Sequence, residues 1–218
     1  MLDPPIPTFE FPKACRIGLI ADTHVPDRAR RLHPPVFEIF RSADLILHGG
    51  DISSQIVLDQ LREIAPVVAV RGNNRGDSRF EPSLPERCIV RISGNFKIAM
   101  WHGMQTPWHR LTDAVLGRSG FFKYVSERMI RRCQQALPMT ELVVFGHLHW
   151  PLIHYNGTRL FVNPGRAFTK TECSCAVLEI DNRIVRVRIY PLTEIGRLQS
   201  LVDRWHQFHL PRTVETVV

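Results

Sequence analysis

Asp22, His24, Asp51, Asn73, His102, His147 and His149 are all residues of metal-binding type, and they recur in short clusters: Asp22-Thr23-His24, His48-Gly49-Gly50-Asp51, Gly72-Asn73, His102-Gly103 and Gly146-His147-Leu148-His149. Carboxylate oxygen mixed with imidazole nitrogen, without thiolate, suits manganese, iron, zinc, nickel or cobalt and argues against a structural zinc or a calcium site. Residues two apart in an extended chain project to one side, so Asp22 with His24, and His147 with His149, are each expected to present two ligands into one space. Asp51 follows a Gly-Gly turn that allows close backbone approach, which makes it the candidate to bridge two ions, and Asn73 offers a neutral carbonyl oxygen. Two divalent ions about 3.5 to 4 Å apart acidify a shared water and bind the non-bridging oxygens of a phosphate ester. The chemistry expected is phosphoester hydrolysis by attack of a metal-bridging hydroxide, with manganese the first choice of ion.

Each cluster ends a short apolar run (IGLIAD, DLILHGGD, VVAVRGN, KIAMWHG, LVVFGHLH), so successive strands are expected to deliver these side chains to one edge of a sheet. The first half alternates in type. Residues 16–21, 44–47 and 67–70 read as strands, while Pro34-Pro35 opens a helix through Ala43 and residues 54–64 form another, the signature of parallel strands with helical crossovers. From Glu86 the texture changes to hairpins: 88–92 with 96–101 around Gly94-Asn95, 152–155 with 159–162 around Asn156-Gly157, and 174–180 with 184–189 around Asp181-Asn182. Phe122, Val125, Met129, Ile130, Cys133 and Leu137 recur at helical spacing and predict an amphipathic helix over the second sheet. Residues 105–118, with Trp108 and His109, read as a lid segment. In the tail, Leu198, Leu201, Val202, Trp205 and Phe208 fall on one helical stripe, to be docked on the body or used as an oligomer contact.

With 218 residues and 44% hydrophobic content, the chain can bury one full core, and a single catalytic domain is expected. The division read from the sequence is an irregular N-terminal arm at 1–15, a main domain at 16–190 with a helical insertion at 104–140, and a C-terminal helix and tail at 191–218. Four prolines in the first dozen residues motivate the irregular arm. A net charge of +7 and a pI near 9.6 favour anionic partners, a phosphoester substrate first; nucleic acid rests on charge alone, since the basic residues are dispersed. No run of eighteen apolar residues provides a membrane span, and MLDPPIPTFEFPK lacks the basic start and apolar stretch of a signal peptide, so a cytoplasmic location is expected. The five cysteines read as reduced and mostly buried thiols.

DTH, GGD, GN, HG and GHLH, in this order, resemble the calcineurin-like metallophosphoesterase superfamily, over most of residues 16–190. The short spacing, the hairpin before WHG and the FVNPG strand after GHLH are most similar to the small prokaryotic phosphodiesterase branch, which also includes a eukaryotic retromer subunit. The resemblance implies an α/β fold, a four-layer α/β/β/α sandwich of two mixed sheets flanked by helices. It further implies a first metal held by Asp22, His24, Asp51 and His149, and a second held by Asp51, Asn73, His102 and His147.

The chain departs from the family pattern after GN, where many members continue with histidine and then aspartate but Asn74, Arg75, Gly76 and Asp77 stand here. Without that histidine acid, esters with good leaving groups are expected to react faster. His109 is the candidate replacement acid, Arg75 a candidate phosphate contact, Arg166 beside the Asn163-Pro164-Gly165 turn a residue within reach of substrate, and Asp77 a stand-in for the family aspartate. His48 reads either as an orienting partner of a ligand or as a satisfied core histidine. The function expected is a dimetal phosphodiesterase, with phosphomonoester or pyrophosphate hydrolysis as variants. The alternative is a metal-binding interaction scaffold of the same fold, as the retromer resemblance implies.

Overall fold

The computed structural model describes residues 5–74, 77, 83–92, 95–103, 120–168, 171–193 and 204–211. Twelve strands and three helices are assigned among them: β1 (Thr8–Phe11), β2 (Arg16–Ile20), α1 (Pro35–Phe40), β3 (Leu45–His48), α2 (Gln55–Arg62), β4 (Val67–Ala69), β5 (Arg87–Ile92), β6 (Phe96–Trp101), α3 (Phe122–Ala136), β7 (Leu142–Phe145), β8 (Pro151–Tyr155), β9 (Leu160–Pro164), β10 (Ser174–Asp181), β11 (Ile184–Pro191) and β12 (Trp205–His209).

The strands form two six-stranded mixed sheets. One runs β12-β11-β10-β2-β3-β4, with β2, β3 and β4 parallel and the rest antiparallel; the other runs β1-β5-β6-β7-β9-β8, with β6, β7 and β9 parallel. The expected parallel first half and the three later hairpins are both present. The runs that precede the metal-type residues are buried on both faces, which is why β2, β3 and β7 read as unbroken apolar stretches.

Three buried clusters build the layers. Between the sheets lie Ile17, Leu19, Leu47, Val90, Ile98, Val144 and Val187 with their neighbours. Outside the first sheet, Val36 and Phe40 of α1 and Val57, Leu58 and Leu61 of α2 pack on Ile20, Ile46 and Val177. Outside the second, Val125, Met129 and Cys133 of α3 cover Ala99, Trp101, Val143 and Phe145. The result is the four-layer α/β/β/α sandwich that the sequence resemblance implied. Gly18 shows how tightly the layers fit: a Cβ there would stand 2.9 Å from the Phe40 ring. Ser54 caps α2 by accepting from the Ile56 N–H, and Pro35 opens α1 at a position where its missing donor costs nothing.

Both ends of the chain differ from expectation. The N-terminal segment is not irregular throughout, since Thr8–Phe11 adds a parallel edge strand to β5. Its prolines flank this strand and do not interrupt it, and the Pro7 carbonyl itself accepts the Ile89 N–H. In the tail, Trp205–His209 is a strand on β11 and not part of a helix. Trp205 and Phe208, one helical face in the sequence reading, project to opposite faces of a strand; the β11 edge offers backbone partners that a lone short helix lacks. Phe208 packs on the core between the sheets while Trp205 is exposed. Residues 194–203, with Leu198, Leu201 and Val202, lie outside the described residues, as does the lid segment 105–118. All five cysteines are free thiols, Cys15 exposed and the other four buried. Among the described residues no helix is long and apolar enough to cross a membrane.

Candidate metal centre

The parallel strands of the two sheets end at one place. Asp22 and His24 follow β2, Asp51 follows β3, Asn73 follows β4, His102 follows β6, and His147 and His149 follow β7. The site therefore straddles the sandwich, with contributions from both sheets. Asp22, His24, Asp51 and His102 are buried, while His149 is partly open to solvent.

The local backbone is not the extended chain expected from the D-x-H and H-x-H spacing. Asp22, His24, Asp51, His147 and His149 all have φ between 45° and 70°, the left-handed region that side-chain-bearing residues seldom occupy. Such outliers cost of order 1–3 kcal/mol each and persist only where the surroundings impose them. Here they turn the chain inward beyond β2, β3 and β7, where the side chains meet those of Asn73 after β4 and His102 after β6. Close approach of those loops needs glycine: a Cβ on Gly72 would lie 2.1 Å from the Asp51 nitrogen, and one on Gly146 2.6 Å from the Gly49 oxygen.

Each carboxylate divides its oxygens between scaffold and site. Asp51 Oδ1 accepts the N–H groups of Asn73 and Asn74, the latter at 2.8 Å, while Oδ2 lies 3.3 Å from His24 Nε2 and 3.5 Å from His102 Nε2. Asp22 Oδ2 accepts the His147 N–H at 3.0 Å, and Oδ1 lies 3.3 Å from His149 Nε2 without hydrogen-bond alignment. His102 Nδ1 donates to the Gly49 carbonyl at 2.7 Å, which turns its Nε2 toward Asp51. The Asn73 amide stands 3.0 Å from His147 Nδ1.

Asp22 Oδ1, His24 Nε2 and His102 Nε2 are buried with no hydrogen-bond partner. Burying such atoms unpaired costs about 1–3 kcal/mol each, and the lone pair of neutral His24 Nε2 faces those of Asp51 Oδ2 at 3.3 Å, which repel. Cations among them relieve both penalties, so the donor set fits divalent metal. Two groups have ligand atoms all within 4.8 Å of one another: Asp22, His24 and His149, and Asp22, Asp51 and His102. Asp22 thus lies close to both groups, while Asp51 Oδ2 touches a histidine of each.

Electrostatics agree with this division. Burial by itself would raise the Asp51 carboxyl, yet the His102 and His24 imidazoles hold it well below the usual carboxylate range. Burial likewise opposes ionisation of Asp22, and His149 and His102 outweigh it. Burial pushes His147 down to about 4 and His24 downward, so both present neutral nitrogens near pH 7. Burial also opposes the charge on His102, but the adjoining Asp51 carboxylate raises it to about 9.

His48 resolves into a supporting role. Fully buried and pushed down to about 3 by that burial, it accepts the Gly50 N–H at Nδ1 and so donates from Nε2 to Thr23 Oγ1, which donates to the Ile52 carbonyl. It ties the Asp22 loop to the Asp51 loop. Asp77, also buried, accepts from the Ile52, Ser53 and Gly72 N–H groups at 2.9–3.0 Å and clamps the Asp51 and Asn73 loops together. Asn163, near the end of β9, donates to the Gly146 carbonyl and steadies the His147 loop. Asn74, where many family members have histidine, bonds through its amide to Asp27 and Ser53. Arg75 and His109 lie outside the described residues. Sequence reasoning overlooked Phe168, whose ring stands edge-on to both His24 and His149; nothing in its local sequence marks it.

Comparison with known proteins gives three kinds of likeness. The family model described as the calcineurin-like phosphoesterase superfamily domain matches residues 15–183. The chain is 31% identical over 167 residues to a probable metallophosphoesterase of Methanothermobacter thermautotrophicus, covering 76% of this chain and 86% of that protein. It is 32% identical over 181 residues to another from Methanocaldococcus jannaschii, covering 82% of each. Among solved structures, Vps29 of Chaetomium thermophilum superposes with a TM-score of 0.62 at 18% identity, covering 91% of this chain and 98% of that one; at that identity the likeness concerns the fold.

Proposed function

The chain belongs to the calcineurin-like phosphoesterase superfamily, and from that premise we propose that it is a two-metal phosphodiesterase. The observation that carries this reading is the convergence of three unpartnered buried donor atoms, Asp22 Oδ1, His24 Nε2 and His102 Nε2, between two ionised carboxylates. Asp22, His24, Asp51 and His149 would hold one ion and Asp51, Asn73, His102 and His147 the other. Manganese is the first choice for this oxygen and nitrogen set, with iron, zinc, nickel or cobalt as alternatives. Two bound divalent ions supply an acidified water as nucleophile and neutralise charge on the phosphoryl oxygens.

The chain's own groups do the positioning. Asp51 Oδ1, fixed by two backbone N–H groups, aims Oδ2 at the centre, and the Gly49 carbonyl sets the ring of His102. Asn74 is neutral and Asp27, its partner, is held below the ordinary carboxylate range by that hydrogen bond, so neither donates a proton to a leaving group near pH 7. Esters whose leaving groups depart unprotonated, such as aryl phosphodiesters, are therefore the favoured test substrates. The intact donor set supports hydrolysis over a scaffold role, and the five free thiols suit a cytoplasmic setting.

The test is metal analysis of purified protein combined with hydrolysis of bis-nitrophenyl phosphate, with and without added manganese. Asp51→Ala should lose manganese and at least 100-fold in kcat/KM, roughly 3 kcal/mol or more of transition-state stabilisation. Turnover that survives this change at unaltered metal content would refute the proposal.

A further inference from the structure

The wall beside His24 and His149 carries an aromatic ring accompanied by two cations. Phe168 is half-buried, its ring centroid 4.9 Å from that of His24 and 5.1 Å from that of His149, edge-on to both. The guanidinium carbon of Arg28 lies 5.1 Å from the Phe168 centroid and that of Arg166 5.8 Å. These arginines come from separate parts of the chain, Arg28 from the turn that follows His24 and Arg166 from the loop after β9. Gathering two positive charges on one ring works against their repulsion, so the arrangement favours an incoming anion.

The local partners leave that demand open. Arg166 pairs with Glu172 at 3.3 Å through one terminal nitrogen, in a contact open enough to solvent to contribute little, and its Nε is buried with no hydrogen-bond partner. Arg28 is exposed, yet its charge reaches the site: after burial and the carboxylates, it is among the influences on His24. Guanidinium groups held near an aromatic ring by cation–π attraction retain N–H donors that match phosphate oxygens.

We infer that Arg28 and Arg166, gathered on Phe168 at the His24 and His149 side of the centre, form a subsite for a second phosphate. The substrates are then phosphoesters that carry another phosphoryl group beside the scissile one. This rests on the phosphoesterase reading above and narrows it from diesters in general to those with an adjacent anion.

The discriminating experiment uses two chromogenic esters with one leaving group, the nitrophenyl ester of thymidine 5′-phosphate with and without a 3′-phosphate, assayed on manganese-loaded protein. The second phosphate should lower KM on the order of tenfold. Arg28→Ala and Arg166→Ala should each shrink the ratio of the two KM values, and Arg28→Lys should restore part of it, all at unaltered manganese content. A binding measurement independent of turnover accompanies this: calorimetry should show thymidine 3′,5′-bisphosphate binding more tightly than thymidine 5′-phosphate, with the difference closing in Arg28→Ala. Equal KM values in the wild type, or a ratio that survives both alanine variants, would overturn the subsite. If wild-type protein binds manganese but hydrolyses neither ester, the phosphoesterase reading fails instead, and the calorimetric difference decides the subsite by itself.

Discussion

Asp51 illustrates how one side chain serves both fold and chemistry. Its Oδ1 closes the turn at Asn73 and Asn74, and its Oδ2 faces His24 and His102. His102 carries the corresponding proton balance. Without metal, the Asp51 carboxylate keeps its imidazole protonated up to about pH 9, against an ordinary value of 6.5. That ion pair stabilises the metal-free fold fully below pH 6.5, and the contribution is lost as pH rises through about 9. Metal must displace this proton, so manganese affinity should increase with pH, up to about tenfold per unit, between roughly 6.5 and 9, and then level off. Calorimetry in buffers of different ionisation enthalpy should show proton release on binding at pH 7.5; uptake independent of pH over this range would contradict the assignment of His102 as a ligand.

The strands act as levers whose ends are held by the loops between them. Parallel neighbours β2, β3 and β4 bring Asp22, Asp51 and Asn73 side by side, and parallel β6 and β7 do the same for His102 and His147. Register alone does not aim the side chains; left-handed residues beyond β2, β3 and β7 do, held by hydrogen bonds from the Asp22 N–H to the Gly50 carbonyl and from the His147 N–H to Asp22 Oδ2. Asp77 is the clearest such hold, joining the loops after β3 and β4 through three backbone donors. Burial pushes its carboxyl upward in spite of these bonds, so its removal leaves buried donors unpaired. Asp77→Ala should cost about 2–4 kcal/mol of stability and weaken metal binding although it removes no ligand. Denaturant unfolding with and without manganese measures both effects; a neutral outcome would show that the clamp is dispensable.

At the scale of the molecule, the candidate centre takes ligands from both sheets of the sandwich, whose shared core is otherwise apolar contact. Ions bound there would cross-link the two sheets and favour the folded state by mass action. At free manganese 100 to 1,000 times its dissociation constant, stabilisation should be about 2.7–4 kcal/mol. Thermal unfolding should therefore shift upward on manganese addition, revert on chelation, and not respond in Asp51→Ala. The molecule's positive charge of +7 bears on the same face of function, since anions are attracted from a distance, more weakly as salt increases.

The sequence by itself determined the sandwich, the family and the cluster of metal-type residues, because buried parallel strands must be apolar throughout and their polar ends then stand out as DTH, GGD, GN, HG and GHLH. Strand boundaries at β5, β6 and β10 were legible for the same reason of pattern. It misread Thr8–Phe11 and Trp205–His209, where short edge strands are selected by a neighbour's free backbone and carry little pattern of their own. It also took the ligand pairs for extended chain, since a left-handed φ at Asp22 or His147 follows from packing among five loops and not from residue type. Only the tertiary structure could decide that His48 and Asp77 hold loops in place, and that Phe168, Arg28 and Arg166 meet beside the site. Asp77 stands 25 positions from Ile52 and Arg28 140 from Phe168, and such roles exist only as contacts that folding makes.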